Sequence, residues 1–171
     1  SAQQYREVYD IKHPLQQIQE PREIRLTPFN TIQKSLQAVF FESSGWERPQ
    51  WYESNSNLAL PQMPNRSKWQ AQEWSPIIGA EHKATRENVA LYDISPFTKL
   101  EISGQGALNY LQFLTTNQLD CPIGKTVYTA MLNERAGIRC DLTVTRIAND
   151  RFLVLTGGAT GPLDTYWLNQ N

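Results

Sequence analysis

The sequence predicts an α+β fold, a largely antiparallel sheet with flanking helices. Three observations predict it. Residues 138–147 (IRCDLTVTRI) alternate apolar and polar side chains, the period of a strand with one buried face. Strand-like runs at 126–133 and 152–156 flank it across four-residue turns, too short for the crossover that parallel strands need. Helical periodicity lies before and after this meander instead of alternating with each strand.

Composition fits such a fold. The chain has 171 residues, is 40% hydrophobic and 19% charged, and carries a formal charge of −1. A chain of this length buries enough surface to fold without staples. Near-zero charge argues against a nucleic-acid binder that works by neutralising phosphates. No apolar run approaches the ~20 residues that span a bilayer, and the polar start has no signal-peptide apolar stretch. Cys121 and Cys140 read as free thiols of a reducing compartment, which points to the cytoplasm. With His13 and His82 they are too scattered along the chain for a zinc site.

Taken in order, residues 5–26 contain Pro14 and Pro21 and read as an extended arm with at most one short strand. Thr27-Pro28 opens a helix, since Thr can cap and Pro suits the first turn. Phe29, Ile32, Leu36, Val39 and Phe40 give that helix one buried face, and Ser43-Ser44-Gly45 ends it with Gly45 as the cap. Residues 46–76 look irregular. They hold Trp46, Trp51, Trp69 and Trp74, four of the five tryptophans, and Pro49, Pro61, Pro64 and Pro76. Two readings stand for this stretch: a long loop pinned by aromatic anchors, or a segment that covers a ligand or a domain junction. A helix over 78–91 turns Val89, Ala90 and Leu91 to a core. Thr98–Ser103 is a strand with Leu100 and Ile102 on one side. After the turn at 103–106, a helix places Ala107, Leu108, Leu111 and Leu114 on one face. Beyond the meander, Pro162 opens a last helix with Leu163, Tyr166 and Trp167 inward.

Three places carry chemistry. Residues 156–161 (TGGATG) sit between a strand and a helix, like a dinucleotide loop. Pro162 and Leu163 stand where a further glycine would be needed, so a tight turn is a sufficient reading. Cys140 shares a strand face with Ile138, Leu142 and Val144 and reads as a buried inert thiol before it reads as a nucleophile. Asp141 points the other way, with Arg139, Thr143 and Thr145, although strand interiors disfavour aspartate. It is either a solvated carboxylate beside Arg139 or Arg146, or a carboxylate on a rigid strand facing a ligand. In the second case it can take a proton or steady a developing cation.

The run Val127–Val144, with Tyr128, Asn133, Ala136-Gly137 and Asp141-Leu142, resembles the folate-binding domain of the aminomethyltransferase (glycine-cleavage T-protein) family. Val89–Ser95 followed by Lys99–Gly104 resembles the helix end and first strand of that domain, and Leu114-Thr115-Thr116-Asn117 its Leu-x-Thr-Asn turn. At the front, Tyr5–Asp10 with His13-Pro14, Arg25-x-x-Pro28-Phe29 and Gly45–Tyr52 resemble the bridge of sarcosine and dimethylglycine dehydrogenases. The resemblance implies a bridge segment at 1–56 and, at 57–171, the N-terminal part of an aminomethyltransferase-like folate-binding fold. It implies tetrahydrofolate as cofactor, with FAD confined to an N-terminal domain of the parent enzyme. There, an N-methyl amine is oxidised to a formaldehyde equivalent, which tetrahydrofolate captures as 5,10-methylenetetrahydrofolate. Asp141 matches the catalytic aspartate and, with Tyr128, the folate-contacting set. Cys140 stands where the glycine-cleavage protein has another aspartate, Ala136 where it has glycine, and Gly157 near the place of a folate-side asparagine. Three further expectations follow. The chain is a fragment that does not oxidise amines alone. It self-associates or meets an FAD-binding domain through surface its missing half would cover. Its parent works in the cytoplasm, or in the mitochondrial matrix if eukaryotic.

Overall fold

The computed structural model describes residues 5, 8–11, 13, 15–58, 62 and 65–171. The readings placed on Arg6, Glu7, Pro14, Pro61 and Pro64 lie outside the described residues. The chain divides into two compact units between Ser95 and Pro96.

In the N-terminal unit, α1 spans Asn30–Ser35, and β1 (Ala38–Ser43) pairs antiparallel with β2 (Trp46–Tyr52). This corrects the single helix expected from Thr27 to Gly45. Gln37 takes φ +57°, which ends the helix. Val39, Phe40 and Phe41 then continue as strand, the state β-branched and aromatic residues favour. Ser44 and Gly45 take φ +56° and +85°, as a tight two-residue hairpin turn requires, so they are a turn and not a helix cap. β2 likewise replaces the first part of the irregular stretch expected at 46–76. Beyond it, short 3₁₀ turns form at Glu53–Asn55 and Lys68–Ala71.

The buried face of α1 also differs from expectation: Asn30 and Gln33 are buried, while Phe29, Ile32 and Leu36 are exposed. α2 (Ile77–Glu87) buries Ile77 and Ala80 and stops at Asn88, whose φ of −135° and ψ of −142° leave the helical region. Val89 and Leu91, expected in a core, are therefore 94% and 99% exposed. Glu81 of α2 accepts Tyr52 N at 2.9 Å and Asn55 Nδ2 at 2.7 Å. These bonds join residues on both sides of position 56 within the N-terminal unit.

The C-terminal unit comprises β3 (Thr98–Ser103), α3 (Ala107–Leu114), β4 (Thr126–Leu132), β5 (Ile138–Ala148), β6 (Arg151–Thr156) and α4 (Gly161–Gln170). Its sheet has the order β3-β6-β5-β4, every neighbouring pair antiparallel, in agreement with the α+β class. Val127, Met131, Leu142, Val144, Phe152 and Val154 form one face of that sheet and pack with Leu111, Leu114 and Leu119 in the core. α4 turns differently from expectation. Gly161 and Asp164 are buried and Leu163 and Tyr166 exposed, whereas Trp167 and Leu168 do pack on the core. Gly161 lies so close to the Thr98 side chain that a Cβ there would collide with it, and this contact sets which side of α4 faces inward.

Candidate functional site

The opposite face of the same sheet carries the candidate site. Strand alternation sends Val127, Thr129 and Met131 of β4 and Leu142 and Val144 of β5 inward, and Tyr128 and Asp141 outward. The register sets Tyr128 opposite Thr143 and Ala130 opposite Asp141, which makes Tyr128 and Asp141 diagonal neighbours. Diagonal spacing suits a long side chain, and the Tyr128 hydroxyl donates to Asp141 Oδ2 at 2.9 Å. The carboxylate holds the phenol proton: this hydrogen bond first, and the negative charge second, push the Tyr128 pKa up. The ring itself is 65% exposed and presents a flat face to solvent.

Supports surround the pair. Thr126 and Thr145 join their hydroxyls across the strands at 2.8 Å, one row further along the same face. Asn117 donates from Nδ2 to Tyr128 O at 3.1 Å, and its backbone N–H donates to Thr129 Oγ1 at 3.0 Å. Thr116 N bonds Ala130 O at 3.0 Å. The Leu-x-Thr-Asn turn therefore fastens the outer edge of β4 at the tyrosine. No role for Asn117 was visible in the sequence, because these partners, one backbone carbonyl and one hydroxyl, lie eleven and twelve positions away.

The turn that joins the two strands is built by Asn133, whose Oδ1 accepts Arg135 N at 3.0 Å and Gly137 N at 2.8 Å. Ala136 in that turn takes φ +59°, a conformation glycine adopts at lower cost.

Arg139 and Arg146 were candidate partners of Asp141, and both are engaged elsewhere. Arg139 lies over the Trp167 ring, 4.6 Å from its centroid. Arg146 donates to Asp120 Oδ1 at 2.8 Å and to Cys121 O at 2.9 Å. Cys140 is half-buried, and burial first, then the nearby carboxylates of Asp164 and Asp141, push its thiol up to about 11. Such a thiol holds its proton at neutral pH, which opposes a nucleophilic role. The glycines of 156–161 serve close packing: a Cβ on Gly158 would collide with the Pro96 carbonyl. Outside this unit, Trp46 and Glu47 are packing and loop-tying groups. Arg25 lies over the Trp46 ring, and Glu47, only 3% exposed, accepts Arg22 Nε at 2.7 Å and Glu23 N at 2.8 Å. His13 Nε2 stands 2.7 Å from Trp69 O, with the two rings edge to face.

Among the described residues, no three His, Cys, Asp or Glu side chains converge as metal ligands. No helix among them is long and apolar enough to cross a membrane.

Residues 29–171 match the GCVT N-terminal domain family. A 4-methylaminobutanoate oxidase (formaldehyde-forming) from Paenarthrobacter nicotinovorans is 38% identical over 153 residues, which are 90% of this chain and 18% of that protein. The mitochondrial pyruvate dehydrogenase phosphatase regulatory subunit of Mus musculus is 34% identical over 167 residues, 95% of this chain and 19% of that one. An aminomethyltransferase from Chloroherpeton thalassium is 30% identical over 150 residues, 86% of this chain and 35% of the other. Among solved structures, the glycine cleavage system aminomethyltransferase T of Bartonella henselae superposes with a TM-score of 0.66 at 25% identity, over 86% of this chain and 35% of that one. The chain thus spans between about a fifth and a third of the length of these relatives.

Proposed function

Because this chain belongs to the GCVT N-terminal domain family, we propose that it supplies part of a tetrahydrofolate site in a longer one-carbon transfer enzyme. That enzyme would resemble sarcosine or dimethylglycine dehydrogenase, with residues 1–56 as bridge and 57–171 as the N-terminal part of the folate domain. The observation that carries this reading is the hydrogen-bonded Tyr128–Asp141 pair on the exposed sheet face. The names of a formaldehyde-forming 4-methylaminobutanoate oxidase and an aminomethyltransferase among the relatives support the one-carbon part of this reading.

The pair fits a folate chemically. A carboxylate has about four acceptor positions, and Tyr128 takes one of them at Oδ2. The rest can accept N–H groups of a pterin, and the exposed phenol ring offers a stacking surface. When bound, tetrahydrofolate supplies the nitrogen nucleophiles that capture a one-carbon unit. Asp141 would then hold an N–H in place and, as a carboxylate, either accept the proton that nitrogen gives up or stabilise positive charge close by. Tyr128 orients Asp141 through the shared hydrogen bond, and Asn117 holds the Tyr128 backbone. Oxidation of the amine by FAD belongs, in this reading, to a separate domain of the parent in the cytoplasm or the mitochondrial matrix.

A second reading has a specific support. One relative of comparable identity is named as a regulatory subunit, so a non-catalytic member that keeps the fold as a folate-binding module or as a scaffold or interaction module, self-association included, is the alternative. Calorimetric titration with tetrahydrofolate under anaerobic, reducing conditions separates a folate site, catalytic or not, from an interaction module without one. Saturable binding, weakened about tenfold (~1.4 kcal/mol) by Asp141→Asn, is the expected result. Absence of saturable heat, or equal affinity in Asp141→Asn, would overturn the folate site and favour the interaction module.

A further inference from the structure

The outer face of the C-terminal sheet breaks its own pattern at one strand. An antiparallel sheet with one face on a core alternates apolar inward and polar outward. β3 follows this rule and sends Lys99, Glu101 and Ser103 outward. β5 follows it with Asp141, Thr143 and Thr145. β6 lies between them and does not. Phe152 and Val154 point into the core, and the outward residues, Leu153 and Leu155, are apolar as well. A strand apolar on both sides has the pattern of a strand covered on both sides. The two leucines add nothing to the inner core, so the outer face is where their apolar area is used.

The register places β6 beside the Tyr128–Asp141 pair. Thr143 stands opposite Tyr128 on one side and opposite Leu155 on the other. Asp141, two residues before Thr143, is therefore a diagonal neighbour of both Tyr128 and Leu155. Diagonal neighbours in a sheet are about 7–8 Å apart, a span that two rings joined by a two-atom link can cover. Three chemistries thus follow one another across the strands. An acceptor pair lies at Tyr128 and Asp141, a small hydroxyl at Thr143, and an apolar surface at Leu153 and Leu155.

We infer that Leu153 and Leu155 are the second half of the ligand platform and carry an aromatic ring tethered to the ring held at Asp141. The inference rests on the folate reading and deepens it: in a tetrahydrofolate the tethered ring is the aminobenzoyl group, two atoms from the pterin. The ligand then lies across β5 and β6 and not along β4. Along β4 and β5 the next row is the Thr126–Thr145 hydroxyl pair, which suits a polar group better than a benzene ring. Thr143 lies beneath the link between the rings, where its small side chain leaves room for them. Leu155 is in this sense a specificity residue, since it distinguishes a pterin with a tethered ring from a bare pterin.

The test titrates the 171-residue chain with three probes under anaerobic, reducing conditions. They are tetrahydrofolate, tetrahydropteroate, which lacks the glutamate, and 6-methyltetrahydropterin, which lacks the aminobenzoyl ring as well. Calorimetry gives the affinities, and the methyl resonances of Leu153 and Leu155 report where the ring lies. The first two probes should bind within about threefold of each other and at least about tenfold more tightly than the third. The leucine methyl signals should move with these two and stay close to their free positions with the third. Leu155→Ala should weaken tetrahydrofolate and tetrahydropteroate about fivefold and leave 6-methyltetrahydropterin unchanged. Asp141→Asn should weaken all three alike. Equal affinity for all three probes, or a Leu155→Ala effect shared by all three, would overturn the inference and leave the folate reading standing. No saturable binding of any probe would overturn both. In sedimentation, a dimer that Leu155→Ala dissolves would assign the leucines to a second copy of the chain and overturn the inference as well. Should Leu155→Ala fail to fold, the methyl shifts of the unmodified chain still decide.

Discussion

In the C-terminal unit the innermost positions are Leu111, Leu119, Met131, Val144, Phe152, Val154 and the polar Thr156; in the N-terminal unit the buried positions include Thr27, Asn30, Gln33, Glu47 and Ser75 beside Ile77 and Ala80. The C-terminal unit buries Thr115, Thr129 and Asp164 too, but around one continuous apolar cluster. The N-terminal unit gathers instead around hydrogen-bonded carboxylates. Glu47 holds Arg22 and Glu23, Glu81 holds Tyr52 and Asn55, and Asp93 holds Gln33 and Ser95. Apolar burial is non-directional and tolerates many sequences of the right pattern. Buried polar groups must find particular partners, so they punish the loss of one partner and leave little periodic trace. The largest effects should therefore come from truncating an apolar residue in one unit and from removing a single charge in the other.

Phe152→Ala should be the most damaging change. Phe152 has no exposed surface and packs in the centre of the core cluster, so its loss should cost about 3–5 kcal/mol. Hydrogen exchange at the β5 and β6 amides is the readout, since these strands pair directly through Phe152 and Arg146. A cost below about 1 kcal/mol would mean that the C-terminal unit is not held by its apolar core.

Glu47→Gln tests the other unit. The change keeps size but removes the charge that Arg22 and Glu23 N bind, and should cost about 2 kcal/mol near neutral pH. Urea unfolding followed by tryptophan fluorescence reads this unit, which holds four of the five tryptophans. The effect depends on pH with a definite sign. The hydrogen bond from Arg22, foremost among the causes, holds the Glu47 carboxyl below its ordinary range. A carboxyl depressed in the folded state contributes stability above its unfolded value of about 4.3, and that contribution disappears as pH falls through the folded value. The gap between the parent chain and Glu47→Gln should therefore be full near pH 7 and narrow as pH falls below the unfolded value and through the depressed folded one. A gap that stays constant with pH would mean that the charge of Glu47 is not what the unit uses.

The same contrast explains what was legible in the sequence. β3 to β6 and α3 were read within a residue or two, because each presents one apolar face to a common core. The outward placement of Asp141 and the inward placement of Leu142 and Val144 follow from the same alternation. The hydrogen bond between Tyr128 and Asp141 was not legible. It depends on the strand register, and that register shifts at Met131/Leu132. In the N-terminal unit, Phe29, Ile32 and Leu36 imitate a core-facing helix but line an opening, while the residues that are buried, Asn30 and Gln33, look like surface. Val39 and Phe40 continued that false helical period into a strand. The signal that should have outweighed it was Ser44-Gly45, a pair suited to positive φ between two runs of β-favouring residues.

Turn chemistry gives the smallest effect and the sharpest control, because each unit contains one hairpin with a non-glycine residue in the left-handed region. Ser44 has φ +56° between β1 and β2, and Ala136 has φ +59° between β4 and β5. A Cβ in that region costs about 1–2 kcal/mol. Glycine removes this cost but returns part of it through the greater freedom of its unfolded chain. Ala136→Gly should thus stabilise the C-terminal unit by about 0.5–1 kcal/mol. Ser44→Gly should stabilise the N-terminal unit by no more than this, since a serine side chain can bond its own turn and lose less in that conformation. Gly137 is no substitute target: a Cβ there would stand 3.0 Å from Asn133 Nδ2 and push on the side chain that builds the turn. Urea midpoints of the two variants give the comparison directly. Similar gains would mean that backbone strain in a hairpin is felt equally whether the unit behind it is apolar or polar. A gain at Ala136 with a loss at Ser44 would mean that the polar unit also relies on the Ser44 side chain, and that its dependence on particular partners extends to its turns.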